Sequence, residues 1–336
     1  MPKRMLNVHS ENWSEEPFAI SRGIDDNFDV VVVQLEQNGF KAWGEATPTE
    51  HYNESISQTE SLIEDFRGKL ENGMSRAELQ QAMPKGAARN AVDCALWDLE
   101  AKLAGKRVWE LPEIALHFGA ETNSVPGTVT TVYSLGVDTP EIMGGIAQKN
   151  SARPILKIKL TGDGDLERLE AIRKNAPESR LVIDANEAWT PEHYRRYVPE
   201  FKQLGVEMIE QPFPADNDSI LKTLDHPIPV CADESCHDTA DLDRLVGLYE
   251  FVNIKLDKTG GLTEALRLQA VAEEKGFRTM IGCMSATSLG IAPAFLIAQR
   301  AKIVDLDAPL YLYDDRPFPL KYDGSIVFPP SSELWG

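Results

Sequence analysis

Five clusters of charged and amide residues recur through the middle of the chain: Lys157 with Lys159, Asp184 with Asn186, Glu210 with Gln211, Asp233 with Glu234, and Asn253 with Lys255. From Lys159 to Asp184, Glu210, Asp233 and Lys255 the steps are 25, 26, 23 and 22 residues, about one strand plus one crossover helix. Each cluster sits just behind a short apolar run. The same kind of position is thus sampled on successive βα units, and in an α/β barrel that position is the C-terminal mouth, where catalytic groups gather. Asp184, Glu210 and Asp233 offer oxygen donors only, a set suited to Mg2+, which keeps open positions for substrate. The neighbouring lysines suit proton transfer.

The elements that must carry these groups follow from periodicity. Residues 28–46 read as a hairpin: 30–35 is β-rich, Asn38-Gly39 suits a type I′ turn, and 40–43 returns. Residues 54–104 turn helical, with Val92, Leu96 and Leu99 on one stripe. From about residue 125, candidate strands at 127–134, 154–160, 180–185, 206–210, 228–233, 251–256, 277–283 and 302–307 alternate with amphipathic segments such as Leu166, Leu169 and Ile172. Eight strands separated by crossovers imply a parallel sheet closed into a barrel. Pro309, Pro317, Pro319, Pro329 and Pro330 deny the last strand its helix. The expected architecture is α/β, a modified TIM barrel of (β/α)7β type over 123–309, with an α+β capping domain over 1–122 completed by 310–336. Within that tail, residues 325–328 are expected to return and pair with the N-terminal module.

Composition narrows the partners. The chain has 336 residues, 42% of them apolar, which allows one barrel plus a smaller module. A formal net charge of −19 makes nucleic acid and anionic membrane poor partners. Cys94, Cys231, Cys236 and Cys283 are too few and too scattered for a disulfide framework or a zinc site. The six histidines form no spaced set. Residues 1–9 hold no apolar core of a secretion signal, and the apolar stretch 291–298 is too short to span a bilayer. A cytoplasmic enzyme is expected.

Strand counting sharpens the chemistry. Lys157 and Lys159 are two apart, so both face the barrel interior. Lys159 ends strand two and Lys255 strand six, opposite each other in an eight-stranded ring, with Asp184, Glu210 and Asp233 on the arc between. A substrate carboxylate on Mg2+ becomes a better carbon acid, because the cation stabilises the enediolate left when the α-proton departs. One lysine can take that proton from one face and the other return it to the opposite face, which inverts the α-carbon. A lysine base needs a depressed pKa, and Lys157 and the cation are placed to supply it for Lys159. Lys157 is also placed to pair with the substrate carboxylate. Lys258 competes with Lys255 as the base, but Lys255 terminates the apolar run 251–254 whereas Lys258 lies in the following loop.

Together Lys157-x-Lys159, Asp184-x-Asn186, Glu210-Gln-Pro, Asp233-Glu-Ser and Asn253-Ile-Lys255-Leu-Asp-Lys-Thr-Gly-Gly resemble the muconate-lactonizing subgroup of the enolase superfamily. The resemblance spans nearly the whole chain, and within the subgroup it is strongest to the L-Ala-D/L-Glu epimerases of murein peptide recycling. It implies an enolase-like fold, one Mg2+ per subunit, a small dipeptide as substrate, and Asn186 and Glu234 standing one step out from the metal ligands. Homo-oligomers are common in that superfamily.

The same resemblance implies the substrate contacts. Dipeptide epimerases carry an Asp-x-Asp on strand eight that holds the substrate ammonium, here Asp305 and Asp307, expected opposite the metal side. Arg22 resembles the arginine that meets the glutamyl side chain, and Ser134 sits where the family has a hydroxyl near the substrate. Strand seven, Cys283-Met-Ser-Ala-Thr, lacks an acidic residue that some relatives carry. The rival readings are N-acylamino acid racemase, o-succinylbenzoate synthase or muconate cycloisomerase on the same scaffold, and a barrel without catalysis.

Overall fold

A long antiparallel hairpin opens the chain in the computed structural model, which describes residues 4–114 and 125–336. Strand β1 (Met5–Ile20) pairs with β2 (Gly23–Gln37), with a register shift between Ser14 and Phe18. Pro17 lies in that interval and has no N–H to give to a ladder. Strand β3 (Phe40–Ala46) returns after Asn38 and Gly39, whose φ of 55° and 81° suit the expected turn. The strand β1 escapes the sequence pattern because residues 9–16 are largely polar.

Helices α1 (Ile56–Asp65), α2 (Arg67–Glu71), α3 (Arg76–Ala82) and α4 (Ala87–Ala104) complete this antiparallel module. Helix α4 is buried along almost its whole length. It approaches β3 so closely that a Cβ on Gly44 would lie 2.0 Å from the Ala91 carbonyl oxygen. Its other side meets the barrel, where Asp93 accepts from Thr263 N and Arg89 donates to the Thr259 oxygen at 2.6 Å.

The barrel sheet is parallel and runs in sequence order: β5 (Tyr133–Leu135), β6 (Ile155–Lys159), β7 (Arg180–Asp184), β8 (Val206–Glu210), β9 (Val230–Ala232), β10 (Phe251–Ile254), β11 (Arg278–Ile281) and β12 (Ile303–Val304). Val132 N donates to the Val304 oxygen at 2.8 Å, bringing the first and last strands together. The interior floor is one apolar layer built from successive strands: Val132, Ile155, Val182, Met208, Cys231, Phe251, Met280 and Ile303. Two residues further along most of these strands the inward residue is Lys157, Asp184, Glu210, Asp233, Asn253 or Asp305. The period-two rule thus seats an apolar floor beneath a charged layer.

Full helices cross over after β5, β6, β7, β10 and β11. After β8 the crossover shrinks to a 3-10 segment, Asp218–Thr223, and after β9 to the short helix Leu242–Leu245. These are the two shortest steps between charged clusters, and they leave room for little more than a turn.

The tail departs from expectation. Strand β14 (Ile326–Val327) pairs with β13 (Tyr322–Asp323) and with β4 (Val129–Thr130), just ahead of the barrel's first strand, and not with the N-terminal sheet. Register decides this, since Ile326 faces Thr130 and Val327 faces Val129. The tail reaches the cap elsewhere: Leu312 makes an isolated antiparallel bridge with Glu15 of β1, Arg316 pairs with Glu45, Trp335 Nε1 donates to the Cys94 oxygen and Gly336 N to Asp98. The expected boundary at 122/123 and His117 lie outside the described residues. Among the described residues no helix is long and apolar enough to cross a membrane.

Candidate active site

Three buried carboxylates and four lysines meet at the C-terminal ends of β6 to β10. Lys157 Nζ lies 2.5 Å from Asp305 Oδ2, 2.9 Å from Glu210 Oε2 and 3.2 Å from Asp184 Oδ2. Lys159 Nζ sits 2.7 Å from Asp184 Oδ2, and Lys255 Nζ 2.9 Å from Asp233 Oδ2. The backbone N of Asn186 donates to Asp184 Oδ1 at 2.9 Å, and Asn253 Nδ2 donates to Glu210 Oε1 at 2.6 Å. Lys157, Lys159 and Lys255 line one cavity of about 690 Å³, together with Arg22, Asp305 and Asp307.

Lys258 occupies a different place. Its fully buried ammonium donates to Asp233 Oδ1 at 2.6 Å, to the Asp233 carbonyl oxygen and to the Asn253 carbonyl oxygen. Three acceptors saturate its three donors, and it does not line the large cavity. Lys255 is the sixth-strand lysine that faces it.

Charge explains which groups are held in which state. Burial works to raise the Asp184 carboxyl, but Lys159 and Lys157 outweigh it and hold it low. Asp233 is held low against burial by Lys255 and Lys258. Glu210 is pushed up to about 8 by burial and by Asp184. Its Oε2, though 2.9 Å from Lys157, makes no hydrogen bond. At Lys255 burial acts downward, but Asp233, Tyr52 and Glu210 outweigh it and raise the ammonium above its usual range. The three carboxylates fit a hard divalent cation, because they offer oxygen alone and Glu210 keeps one buried oxygen without a hydrogen bond.

The strand-eight acids sit nearer the carboxylates than expected. Lys157 spans the gap, because strand eight in a closed ring is only two strands from strand two. Asp307 Oδ2 accepts from Ser134 N at 2.7 Å and from the Tyr311 hydroxyl at 3.1 Å. Ser134 therefore meets Asp307 through its backbone N–H. Burial and Asp305 push the Asp307 carboxyl up to about 7. Tyr311, also on the cavity wall, is absent from the sequence reading. Its signal was available, since it falls four residues after Asp307 on the 3-10 segment Ala308–Tyr311. Strand seven contributes space: a Cβ on Gly282 would lie 2.7 Å from Asn253 and 3.0 Å from Lys255 Cε.

Arg22 sits in the turn between β1 and β2 and reaches the ends of two barrel strands. Its Nη1 lies 3.0 Å from Glu234 Oε1, 3.8 Å from Glu187 Oε2 and 3.5 Å from the Asn186 carbonyl oxygen. His51, Glu187 and Glu234 bring ligand-type atoms within 4.8 Å of one another. The Arg22 guanidinium already sits against both acids, so this cluster is an arginine seat. His51 and Glu187 carry no sequence pattern that singles them out.

The fold and this constellation agree with known families. The family model of the enolase C-terminal domain-like group matches residues 147–327, and that of the mandelate racemase / muconate lactonizing enzyme N-terminal domain matches residues 3–112. The chain belongs to the mandelate racemase / muconate lactonizing group of the enolase superfamily. It is 42% identical over 315 residues to the L-Ala-D/L-Glu epimerase of Escherichia coli strain K12, covering 93% of this chain and 95% of that one. It is 40% identical over 313 residues to an N-acetyl-D-glutamate racemase of a Pseudoalteromonas species, covering 91% and 95%. A solved enolase family member from Agrobacterium tumefaciens, with homology to dipeptide epimerases and with bound sodium and L-Ala-L-Glu, superposes with a TM-score of 0.95 at 45% identity, covering 99% of this chain and 100% of that one.

Proposed function

We propose that this protein is a Mg2+-dependent dipeptide epimerase that inverts the α-carbon of a C-terminal glutamate, with L-Ala-D/L-Glu as the substrate. The observation that carries this reading is the pair of lysines on one cavity, Lys159 seated on Asp184 and Lys255 on Asp233, with Glu210 buried between. Asp184, Glu210 and Asp233 are the residues to hold the cation. Bound there, Mg2+ neutralises the substrate carboxylate and the charge that builds on it when the α-proton leaves.

The remaining steps belong to the chain. Lys159, neutral, takes the α-proton: the Cα–H bond breaks and an N–H bond forms. Lys255, charged, delivers a proton to the opposite face and is left neutral. The reverse direction exchanges the two parts. Lys157 offsets the charge crowded between Asp184, Glu210 and Asp305. Asp305 and Asp307, across Lys157 from the carboxylate arc, take the substrate ammonium.

The relatives support a glutamyl substrate from two sides. L-Ala-D/L-Glu and N-acetyl-D-glutamate share a glutamate whose nitrogen is acylated, and they part only beyond the amide. Two buried acids at that end favour an ammonium group, hence the dipeptide. Racemisation of N-acetyl-glutamate is the second reading, favoured by the 40% identical relative. A dipeptide carrying D-glutamate is the kind of fragment that cell-wall peptides yield, which supports a role in murein peptide recycling.

The test is α-proton exchange in D2O, followed by mass, with Mg2+ and a panel of dipeptides and N-acyl amino acids. Exchange at the C-terminal residue alone, abolished by EDTA and confined to one epimer by Lys159→Ala, is expected. No exchange with any dipeptide sinks the epimerase reading, and faster exchange of N-acetyl-glutamate moves the assignment to the racemase.

A further inference from the structure

We propose that Glu234, with Glu187 beside it, is a positioning residue that presents the Arg22 guanidinium to the cavity and thereby sets selectivity for an acidic C-terminal residue. The inference rests on the glutamyl substrate proposed above and adds residues that touch no substrate.

Arg22 occupies the tip of the β1–β2 hairpin, with its side chain 37% exposed. A long side chain there samples many rotamers, and holding it for a ligand costs entropy at each binding event. Two barrel loops remove that freedom beforehand. The loop after β9 supplies Glu234, whose side chain is only 2% exposed and whose Oε1 takes Arg22 Nη1 at 3.0 Å. The loop after β7 supplies Glu187 Oε2 at 3.8 Å and the Asn186 carbonyl oxygen at 3.5 Å, which also accepts from Ser21 Oγ at 3.1 Å.

The seat is itself rigid. Asn186 and Glu187 have φ of 41° and 67°, a sharp left-handed turn that non-glycine residues adopt only when the surroundings enforce it. Glu187 Oε1 accepts from Ala215 N at 2.8 Å, which fixes the carboxylate that faces Arg22. These loops follow the strands that end beside Asp184 and Asp233, so the arginine is indexed to the reacting end of the cavity.

The unused donors show what the seat leaves available. The close polar contacts of Arg22 among the described residues run through Nη1. Nε and Nη2 keep their hydrogens for another acceptor, and Arg22 lines the large cavity. A guanidinium with one edge pinned and donors free presents the geometry that binds a carboxylate through two parallel bonds. Selectivity built this way is a matter of orientation, because the two acids cancel much of the arginine's long-range field.

The experiment compares L-Ala-L-Glu with L-Ala-L-Leu in the D2O exchange assay for wild type, Glu234→Gln, Arg22→Met and the double variant. The expected result for Glu234→Gln is a KM for L-Ala-L-Glu raised about tenfold with kcat little changed, and a Glu-over-Leu selectivity ratio lowered by the same factor. In the Arg22→Met background, Glu234→Gln is expected to lower the ratio no further. An unchanged ratio in Glu234→Gln, including equal losses on both substrates, overturns the proposal. Calorimetric binding of the two dipeptides to Lys159→Ala and to its Glu234→Gln derivative gives the same comparison without turnover. A protein that exchanges neither dipeptide thus defeats the epimerase reading alone, whereas equal binding losses for both dipeptides defeat the arginine seat.

Discussion

Lys157 and Asp305, 148 residues apart in the chain, meet with 2.5 Å between Nζ and Oδ2. The same ammonium lies 2.9 Å from Glu210 and 3.2 Å from Asp184, so one buried cation ties strand eight to the carboxylate arc. Removing one partner from a buried ionic group costs far more than an exposed pair is worth, about 3–5 kcal/mol.

Lys157→Met is therefore expected to destabilise the protein by about 3–5 kcal/mol without Mg2+. Part of that loss should return when Mg2+ neutralises Asp184 and Glu210. Denaturant unfolding with and without Mg2+ reads both values, and an equal loss in the two conditions contradicts the assignment of these carboxylates to a metal.

The two-base reading predicts stereochemical asymmetry. Lys159→Ala and Lys255→Ala should each lower epimerisation by ~10²–10⁴-fold, the usual worth of a general base. Each variant should still exchange the α-proton of one epimer of Ala-Glu in D2O, and the two should differ in which. Loss of exchange for both epimers in both variants rules out independent bases.

Metal binding has a readout apart from activity. Saturating Mg2+ at about 100 times its Kd should stabilise the native state by about 2.7 kcal/mol. Asp184→Asn removes a ligand oxygen and should abolish that shift. A Mg2+-dependent shift that survives the substitution places the cation elsewhere.

Asp305→Asn and Asp307→Asn test the ammonium end. A hydrogen bond to a charged group is worth about 1.5–3 kcal/mol, so each variant should lose about tenfold or more in preference for L-Ala-D-Glu over N-acetyl-D-glutamate. Competition of the two substrates in one reaction measures the ratio directly.

A stability effect of pH is expected at Glu54, whose Oε1 accepts from Ala87 N at the start of α4. Burial, with a smaller push from Asp257, raises this carboxyl from 4.5 to about 7. The folded state thus holds a proton that the unfolded chain has lost. Its contribution is full below pH 4.5 and disappears as pH rises through about 7. Glu54→Gln should therefore be more stable than wild type at pH 8, by about 1 kcal/mol after allowing for its partial exposure, and equal to it near pH 4.5. Unfolding curves across that range check the sign.

Much of the layout was legible in residue order. Lys157 and Lys159 two apart on an apolar run, the near-constant interval to Asp184, Glu210, Asp233 and Lys255, and the Asn38-Gly39 turn are local patterns. Local patterns report backbone periodicity, and periodicity is enough to place groups on strand ends facing inward. Strand β1 was hidden because polar residues carry no burial signal, and the two reduced crossovers showed only as slightly shorter intervals.

What residue order determined here is the inventory: which chemical groups stand at the mouth of a parallel barrel, and on which strand. Tertiary structure alone decided their pairing. Lys258 spends all its donors on Asp233 and Asn253 while Lys255 faces the cavity; Asp305 reaches Lys157; Arg22 reaches Glu234; β14 joins β4. Those contacts depend on ring closure and on which charges burial forces together, and neither is a property of neighbouring residues in the chain.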